Sequence, residues 1–193
     1  LMRDERLAAL QTQYDDDTHT LSIRDNGKVA ASGDLETEAG RTAVETFFAA
    51  YCDRELKGPP KVPAGGDHSF SDVPRKVVSI INLASVASLE NLVGQPVDPL
   101  RFRGNVHVTG WPAWSEFDML GQMLDIGGAK LTIAKRIVRC AAVNVDPVTA
   151  ARDLNLPHDM MRALGHMDCG IYAEVTQDGT IAEGDQIVAN QPA

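Results

Sequence analysis

A thiol lies between an arginine and an apolar run in the stretch Arg136-Ile137-Val138-Arg139-Cys140-Ala141-Ala142-Val143-Asn144-Val145-Asp146-Pro147. We predict one strand from Leu131 to Val145 that carries Cys140 and closes at an Asp146-Pro147 turn. A thiolate is a nucleophile and a soft metal ligand, and a neighbouring guanidinium favours its formation. A cysteine in a strand is also commonly a small buried hydrophobic residue, so the surrounding sequence must decide between these roles.

The composition is that of an acidic globular protein. The chain has 193 residues, of which 44% are hydrophobic, and a formal net charge of -9. This balance argues against nucleic-acid binding, because phosphate backbones favour basic grooves. It leaves room for a local basic pocket, since net charge says little about a single site.

The cysteines and the N-terminus indicate the compartment. Cys52, Cys140 and Cys169 are an odd number without regular spacing, so we expect no disulfide framework and a reducing environment. No apolar run approaches the roughly 20 residues of a membrane span, and the charged start, residues 1–6, does not resemble a signal peptide. The first residue is Leu rather than Met, which suggests a fragment. We therefore expect a cytoplasmic protein with no membrane partner.

The first third of the chain predicts a hairpin and one helix before a break. Thr18 to Arg24 alternates between polar and apolar residues and runs into Asp25-Asn26-Gly27-Lys28, which is a hairpin signal. Apolar residues then recur at helical spacing from Glu38 to Leu56. The proline- and glycine-rich segment from Lys57 to Gly66 is the predicted domain junction.

The rest of the chain reads as many short strands with few helices. We predict helices at Ala84–Val93 and Pro157–Leu164, with Ser85 as a candidate cap of the first. The predicted strands are Lys76–Asn82, Arg101–Val108, a Met123–Ile137 hairpin about Gly127-Gly128, and the pair Gly170–Thr176 and Thr180–Val188. This pattern favours a mostly β (α+β) fold, a β-barrel with short flanking helices.

Two segments offer groups that bind anions. In a strand from Arg101, the side chains of Arg101, Arg103 and Asn105 would share one face, and guanidinium groups match phosphate or carboxylate. Three polar residues on one face are also what the wet side of a sheet looks like. The turn Ile81-Asn82-Leu83-Ala84-Ser85 leads from a strand into a helix, whose first N–H groups either hold an anion or are simply capped.

His166 and Asp168 are the titratable pair that precedes a predicted strand, and His166 is either a proton donor or an ordinary loop histidine.

The motifs of several other classes of enzyme and metal site are missing from the sequence. The sequence contains no His-Glu-x-x-His or paired Cys-x-x-Cys zinc pattern, no dinucleotide or Walker loop, and no G-x-S-x-G elbow.

Taken in order, the motifs of residues 70–188 resemble the MOSC domain. This domain is the C-terminal module of molybdenum cofactor sulfurases and also occurs in mitochondrial amidoxime-reducing proteins. The resemblance implies a partial N-terminal MOSC-associated β-barrel region over residues 1–65, whose front is absent, and a MOSC domain over 66–193. The motifs are Asn82-Leu83-Ala84-Ser85, Arg101-Phe102-Arg103-Gly104-Asn105, Trp111-Pro112-Ala113-Trp114-Ser115-Glu116, Ile126-Gly127, Arg139-Cys140 with Asp146-Pro147, Gly170-Ile171-Tyr172-Ala173, and Gly184-Asp185.

The resemblance also implies a set of site residues. Cys140 corresponds to the molybdenum ligand of the reductases and to the proposed sulfur carrier of the sulfurases. Its neighbour Val138 stands where relatives can have a hydroxyl residue, so one cofactor hydrogen bond would be lost. The phosphate-binding lysine segment of the N-terminal barrel has no counterpart. The expected contacts to the molybdenum cofactor (molybdopterin) are Asn82, Ser85, Arg101, Arg103, Asn105 and Arg139.

The function implied is that of a molybdenum-cofactor-dependent oxidoreductase acting on N-hydroxylated or similar N–O small molecules. His166 and Asp168 would support proton transfer, and electrons would come from a protein partner. The alternative is a non-redox sulfur carrier or cofactor-delivery module that uses a Cys140 persulfide from a sulfur-donor protein. A third possibility is an interaction domain with an inert thiol. The pyridoxal phosphate of the sulfurases belongs to a separate domain, and nothing here resembles its lysine site.

Overall fold

The structure is a computed structural model that describes residues 4–52, 56–64, 73 and 75–190. The chain divides into two compact units, one of Leu1–Gly66 with Val145–Arg152 and one of Asp67–Asn144 with Asp153–Ala193. The predicted division into residues 1–65 and 66–193, with a partial barrel in the first part, stays a prediction.

The first unit contains a three-stranded antiparallel sheet and one helix. The strands are β1 (Gln11–Asp15), β2 (Thr20–Asp25) and β3 (Lys28–Asp34), in that order, followed by helix α1 (Glu38–Tyr51). The predicted hairpin is confirmed, since Asn26 and Gly27 both take the positive φ values, 50° and 75°, of a tight two-residue turn. The Thr37 side chain caps α1 by accepting from Gly40 N.

The second unit is built on a six-stranded sheet that curls into a half-barrel. Its order is β5-β4-β8-β7-β6-β9, in which β4 and β5 are parallel and all other neighbours are antiparallel. The mostly-strand α+β prediction is confirmed. The strands are β4 (Val78–Asn82), β5 (Val106–Val108), β6 (Met123–Ile126), β7 (Ala129–Val138), β8 (Asp168–Gln177) and β9 (Ile187–Asn190).

Two hydrophobic cores cover the two faces of this sheet. Ile80, Phe117 and Ile133 belong to the first core, which covers one face of the sheet. Ile81 and Cys169 belong to the second, which lies under the helices α2 (Leu83–Val93) and α3 (Leu156–Leu164). Ile80 and Ile81 are successive residues of β4 that point to opposite faces, and both are fully buried. The two adjacent isoleucines of β4 therefore supply an apolar side chain to each face of the sheet.

Strand β7 is irregular, and its irregularity decides which side chains face the first core. Leu131 and Ile133 belong to that core. The pairing of β7 with β8 shifts register between Ile133 and Lys135, and again between Arg136 and Val138. After the first shift Arg136 stacks on Phe117 of the same core. A one-residue shift moves every later side chain to the other face, so the bulge turns Arg136 inward and Arg139 toward the helices.

The predicted strand from Leu131 to Val145 is wrong at its end. β7 stops at Val138, and Ala141–Asn144 form a short 3-10 helix. The cause is the partner strand: Val138 pairs with Asp168, the first residue of β8, and Arg139 N donates to Met167 O beyond it. Cys140 therefore has no strand to pair with and leaves the sheet.

The predicted strand from Arg101 to Val108 is also mostly wrong. Pro99–Phe102 form a 3-10 helix, capped by the Asp98 side chain at Leu100 N. Only Val106–Val108 is strand. An aspartate before a proline is a helix-start signal, and it outweighs the apparent alternation of charges.

The cap of one helix and the ends of two elements also differ from the predictions. The Asn82 side chain, not that of Ser85, caps α2 by accepting from Ala84 N at 3.1 Å. The helix α1 ends at Tyr51 rather than Leu56. The last strand is Ile187–Asn190 rather than Thr180–Val188, and it pairs with β6 instead of folding back on β8. Within the described residues, no helix is long and apolar enough to cross a membrane.

Gly170 in β8 lies where the sheet is tightly packed. Its φ is +80°, and a Cβ there would lie 2.6 Å from Ile80 O and 2.7 Å from Ile81 Cδ1. Gly94 has a similar φ of +70° with nothing within 4 Å. We expect Gly94→Ala to cost about 1–2 kcal/mol for the left-handed backbone alone. Gly170→Ala should cost about 1–3 kcal/mol more because of the clash. Urea unfolding measures both, and equal losses would contradict the packing argument.

Candidate functional site

The sheet topology brings four strand ends to one edge. Because β4 runs parallel to β5 and antiparallel to β8, and β8 antiparallel to β7, the ends at Asn82, Val108, Val138 and Asp168 lie on the same side. Cys140 follows the end of β7 at this edge, which we call the Cys140 edge. The helix α2 also begins there, directly after Asn82.

Cys140 is the accessible thiol of the chain. It is exposed, whereas Cys52 and Cys169 are buried with 5% and 0% exposure. Burial raises the pKa of Cys169 to about 12, against the opposing charge of Arg139. The Cys140 carbonyl accepts from Val143 N at 3.2 Å and so opens the 3-10 helix Ala141–Asn144. Of the three cysteines, Cys140 is therefore the one whose thiol a reagent or a metal ion can reach from solvent.

Arg139 is directed away from the thiol and into the protein. Its Nε donates to Cys169 O at 2.7 Å and its Nη1 to Phe102 O at 3.0 Å. Its Cζ lies 5.3 Å from the centre of the Phe102 ring. The guanidinium thus joins β8 to the helical turn Pro99–Phe102, and its expected contact with a cofactor stays a prediction.

The predicted anion clamp of Arg101, Arg103 and Asn105 is not assembled on one strand face. The Arg101 side chain is buried and forms a bidentate pair with Asp153 at 2.8 and 2.7 Å. The Asn105 Oδ1 accepts from Ser79 N and Oγ at 2.9 and 2.7 Å. Arg103 has a φ of 51° and is exposed, with no side-chain partner recorded in the described chain. The helical turn before Arg103 separates these three side chains.

Asn105 and Asn82 also lie at opposite ends of β4. Asn105 N donates to Ser79 O near the start of the strand, whereas Asn82 is its last residue. At a rise of about 3.3 Å per residue, these two ends are roughly 10 Å apart. The two amides that the family pattern groups together therefore occupy different ends of the strand.

Asn82 and Ser85 belong to a buried polar network around Glu116, which is 1% exposed. Ser85 Oγ donates to Glu116 Oε1 at 2.8 Å, and Asn82 Nδ2 donates to Oε2 at 2.8 Å. The carboxylate thus lies at the first turn of α2, where the helix dipole favours negative charge. This network holds the 3-10 helix Ser115–Met119 against α2. Glu116 is the last residue of the motif Trp111–Glu116, but its bonds to Ser85 and Asn82 were not predicted.

An aromatic and cationic cluster lies at the Cys140 edge, on the face of the sheet that the first core covers. The His166 ring meets Trp114 and Phe117 edge-on, with centroid distances of 6.0 and 5.6 Å. The Arg136 Cζ lies 4.3 Å from the centre of the Phe117 ring, which is a cation–π contact. Sequence alone missed Arg136, because only the register shift in β7 turns it inward.

The His166 ring contacts the backbone of Asp168. Asp168 N donates to His166 Nδ1 at 3.1 Å. A ring nitrogen that accepts is unprotonated, so this bond fits the neutral tautomer with its proton on Nε2. The Asp168 carboxylate lies 3.9 Å from Arg136 Nη1. His166 is therefore better suited to donate a hydrogen bond from Nε2 than to give up a proton.

The thiol assignment predicts a selective chemical reaction. At pH 8, a disulfide reagent such as Ellman's should modify one thiol per native chain, because the other two cysteines are buried and protonated. Unfolding in guanidinium should expose all three cysteines. Cys140→Ser should abolish the native reaction, whereas the control Cys52→Ser should leave it unchanged. A native reaction that persists in Cys140→Ser would refute the assignment.

Comparison with known proteins gives the family. The sequence model of the MOSC domain matches residues 65–188, which is more than half of the chain. The structure resembles YiiM from Geobacillus stearothermophilus, with a TM-score of 0.46, 19% identity, and coverage of 59% of this chain and 54% of that one.

It also resembles the YuaD protein from Bacillus subtilis, with a TM-score of 0.47, 22% identity, and coverage of 62% and 66%. The alignments thus span less than two thirds of either protein. A search of curated proteins found no match. On the match of its sequence to the MOSC domain over residues 65–188, the chain belongs to the MOSC domain family.

Proposed function

We propose that this MOSC domain protein binds the molybdenum cofactor through Cys140 and reduces N-hydroxylated or similar N–O compounds. The observation that carries the proposal is the position of the thiol. Cys140 is exposed just beyond the end of β7, where Arg139 N donates to Met167 O in the segment that carries His166 and Asp168, while both other cysteines are buried. The link of the MOSC family to this cofactor supports the proposal.

The residues present fit the metal end of the cofactor. A thiolate is the soft ligand that suits molybdenum, and Cys140 has no competing contact of its sulfur in the described chain. For the phosphate end, the exposed Arg103 offers a guanidinium, whereas the Arg101 and Arg139 guanidinium groups bind protein carbonyls and Asp153. When bound, the cofactor would supply the two-electron redox chemistry.

The chain's own groups would bind and orient the substrate. Reduction of a hydroxylamine-type R–NH–OH consumes two electrons and two protons, breaks the N–O bond and gives the amine and water. The electrons would come from a redox protein partner and the protons from solvent. His166 would donate a hydrogen bond from Nε2 to the substrate oxygen, and Trp114 with Phe117 would hold the ring in place.

A sulfur-carrier function is the alternative that the same exposed thiol supports. A persulfide on Cys140 would need an accessible sulfur atom but no phosphate contact. The Cys140 thiolate would attack the outer sulfur of a persulfide on a donor protein, and the S–S bond of the donor would break and release the donor as its thiol. Since Arg101 and Arg139 are engaged elsewhere, the weaker anion clamp favours this alternative more than the sequence alone did. The two functions differ in whether a metal is retained.

The molybdenum content of the purified protein distinguishes the reductase from the sulfur carrier. We expect stoichiometric molybdenum in full-length protein from cells that make the cofactor, and loss of the metal in Cys140→Ser because the ligand is removed. Cys52→Ser, which removes a buried thiol elsewhere, is the matched control. Elemental analysis by mass spectrometry gives the stoichiometry. Molybdenum retained in Cys140→Ser would contradict the ligand assignment, and a Cys140 persulfide without metal would support the carrier function instead.

The role of His166 has its own test. In molybdenum-loaded protein, His166→Phe should lower kcat for an N-hydroxylated substrate about 100-fold, the typical effect of removing one such donor. His166→Gln should recover part of the activity, because its amide also donates. Steady-state kinetics with a chemical electron donor measures both. Unchanged kcat in His166→Phe would exclude this role.

A further inference from the structure

The loop that carries Cys140 is held at both of its ends by one short helical turn. At the front, Arg139 Nη1 donates to the carbonyl of Phe102 at 3.0 Å. At the back, Arg101 Nη1 donates to the carbonyl of Asn144 at 3.2 Å. Arg101 and Phe102 are adjacent residues of the turn Pro99–Phe102. Residues 139–144 are thus tied down on either side of the thiol.

We propose that Arg101 and Arg139 are positioning residues that form a two-point clamp on the Cys140 loop. In this proposal they fix where the sulfur is presented and do not themselves bind an anion. The inference goes beyond the proposed function, because a clamped thiol serves a metal ligand and a persulfide carrier alike. It can therefore fail or succeed independently of molybdenum binding.

The anchor of the clamp is rigid. Phe102 is 2% exposed and packs in the core beneath the helices, so its carbonyl has a fixed position. Arg101 is 4% exposed, and its bidentate pair with Asp153 sets the plane of the guanidinium. Hydrogen bonds from a charged donor in such surroundings are stronger than neutral ones. Both contacts of the loop are of this charge-assisted kind.

The loop between the two contacts has little backbone freedom left. Arg139 N donates to Met167 O at 2.9 Å, and Val143 N donates to the Cys140 carbonyl at 3.2 Å. The Cys140 side chain is exposed on this held backbone. The Arg101 contact adds to the local helical bonds of the segment after Cys140 and to the bond that Leu156 N donates to Asn144 Oδ1.

A nitroxide spin label on Cys140 tests the clamp on the full chain without metal. The buried Cys52 and Cys169 stay unlabelled in the folded protein. We expect a motionally restricted spectrum in the parent and a clearly more mobile one in Arg101→Met. Arg101→Lys should restore part of the restriction, because lysine keeps one charged donor. Arg103→Met is the matched control: it removes an exposed arginine two positions away, and its spectrum should match the parent.

Hydrogen exchange gives a second measure at the backbone. In Arg101→Met the Val143 amide should exchange at least about 10-fold faster, as expected for loss of one charge-assisted bond. The Ile133 amide, bonded to Gln122 O in the β6–β7 hairpin, should be unchanged. If Arg101→Met does not fold, Asp153→Asn, which removes the charge at an exposed partner, replaces it and should give a smaller change in the same direction.

The spin-label spectra and the Val143 exchange rate together decide whether Arg101 clamps the Cys140 loop. An unchanged spectrum with unchanged Val143 exchange in a folded Arg101 or Asp153 variant would overturn it. So would a loss of global stability with no local loosening, because that result would assign Arg101 a purely structural role. Recovery by lysine but not by methionine supports the clamp, since only a charged donor then restores the restraint.

Discussion

Two backbone carbonyls, those of Cys169 and Phe102, direct their oxygens at the single guanidinium of Arg139. Buried carbonyls need donors, and here one side chain supplies both. The contact ties the first residues of β8 to the turn that precedes β5, across the face that the helices cover. Because Arg139 is drawn inward, its successor Cys140 is left on the outside. The exposure of the thiol is in this sense a consequence of where its neighbour binds.

Much of the fold was predictable where local chemistry decides it. The Asn26-Gly27 and Gly127-Gly128 turns, the helices and the mostly-strand class were predicted from residue type and spacing, and the structure has them. Ends of strands were not predictable in the same way. Val138 terminates β7 because β8 begins at Asp168, and that limit is set by a segment 30 residues away in sequence. A strand pattern in one segment carries no information about the length of its partner.

The candidate site shows the same division. Cys140, His166 and Asp168 could be singled out from residue chemistry, and the structure places His166 in contact with Asp168. The arginine pattern misled, because Asp98 and Pro99 start a helical turn where alternation suggested a strand. Glu116 and Arg136 depend on long-range contacts: one meets Ser85 and Asn82 across the fold, the other meets Phe117 after a register shift. No local pattern reports contacts of that kind.

The bulge in β7 allows the two parts of one strand to have different roles. The part of the strand with Leu131 and Ile133 packs in the hydrophobic core. The part with Arg136 supplies a polar group to the Cys140 edge. A regular strand would have to choose one assignment of faces along its whole length. Because of the extra residue, the same face of β7 carries apolar side chains in its N-terminal part and a charged side chain in its C-terminal part. Chemistry at the rim can then diversify without disturbing the scaffold that supports it.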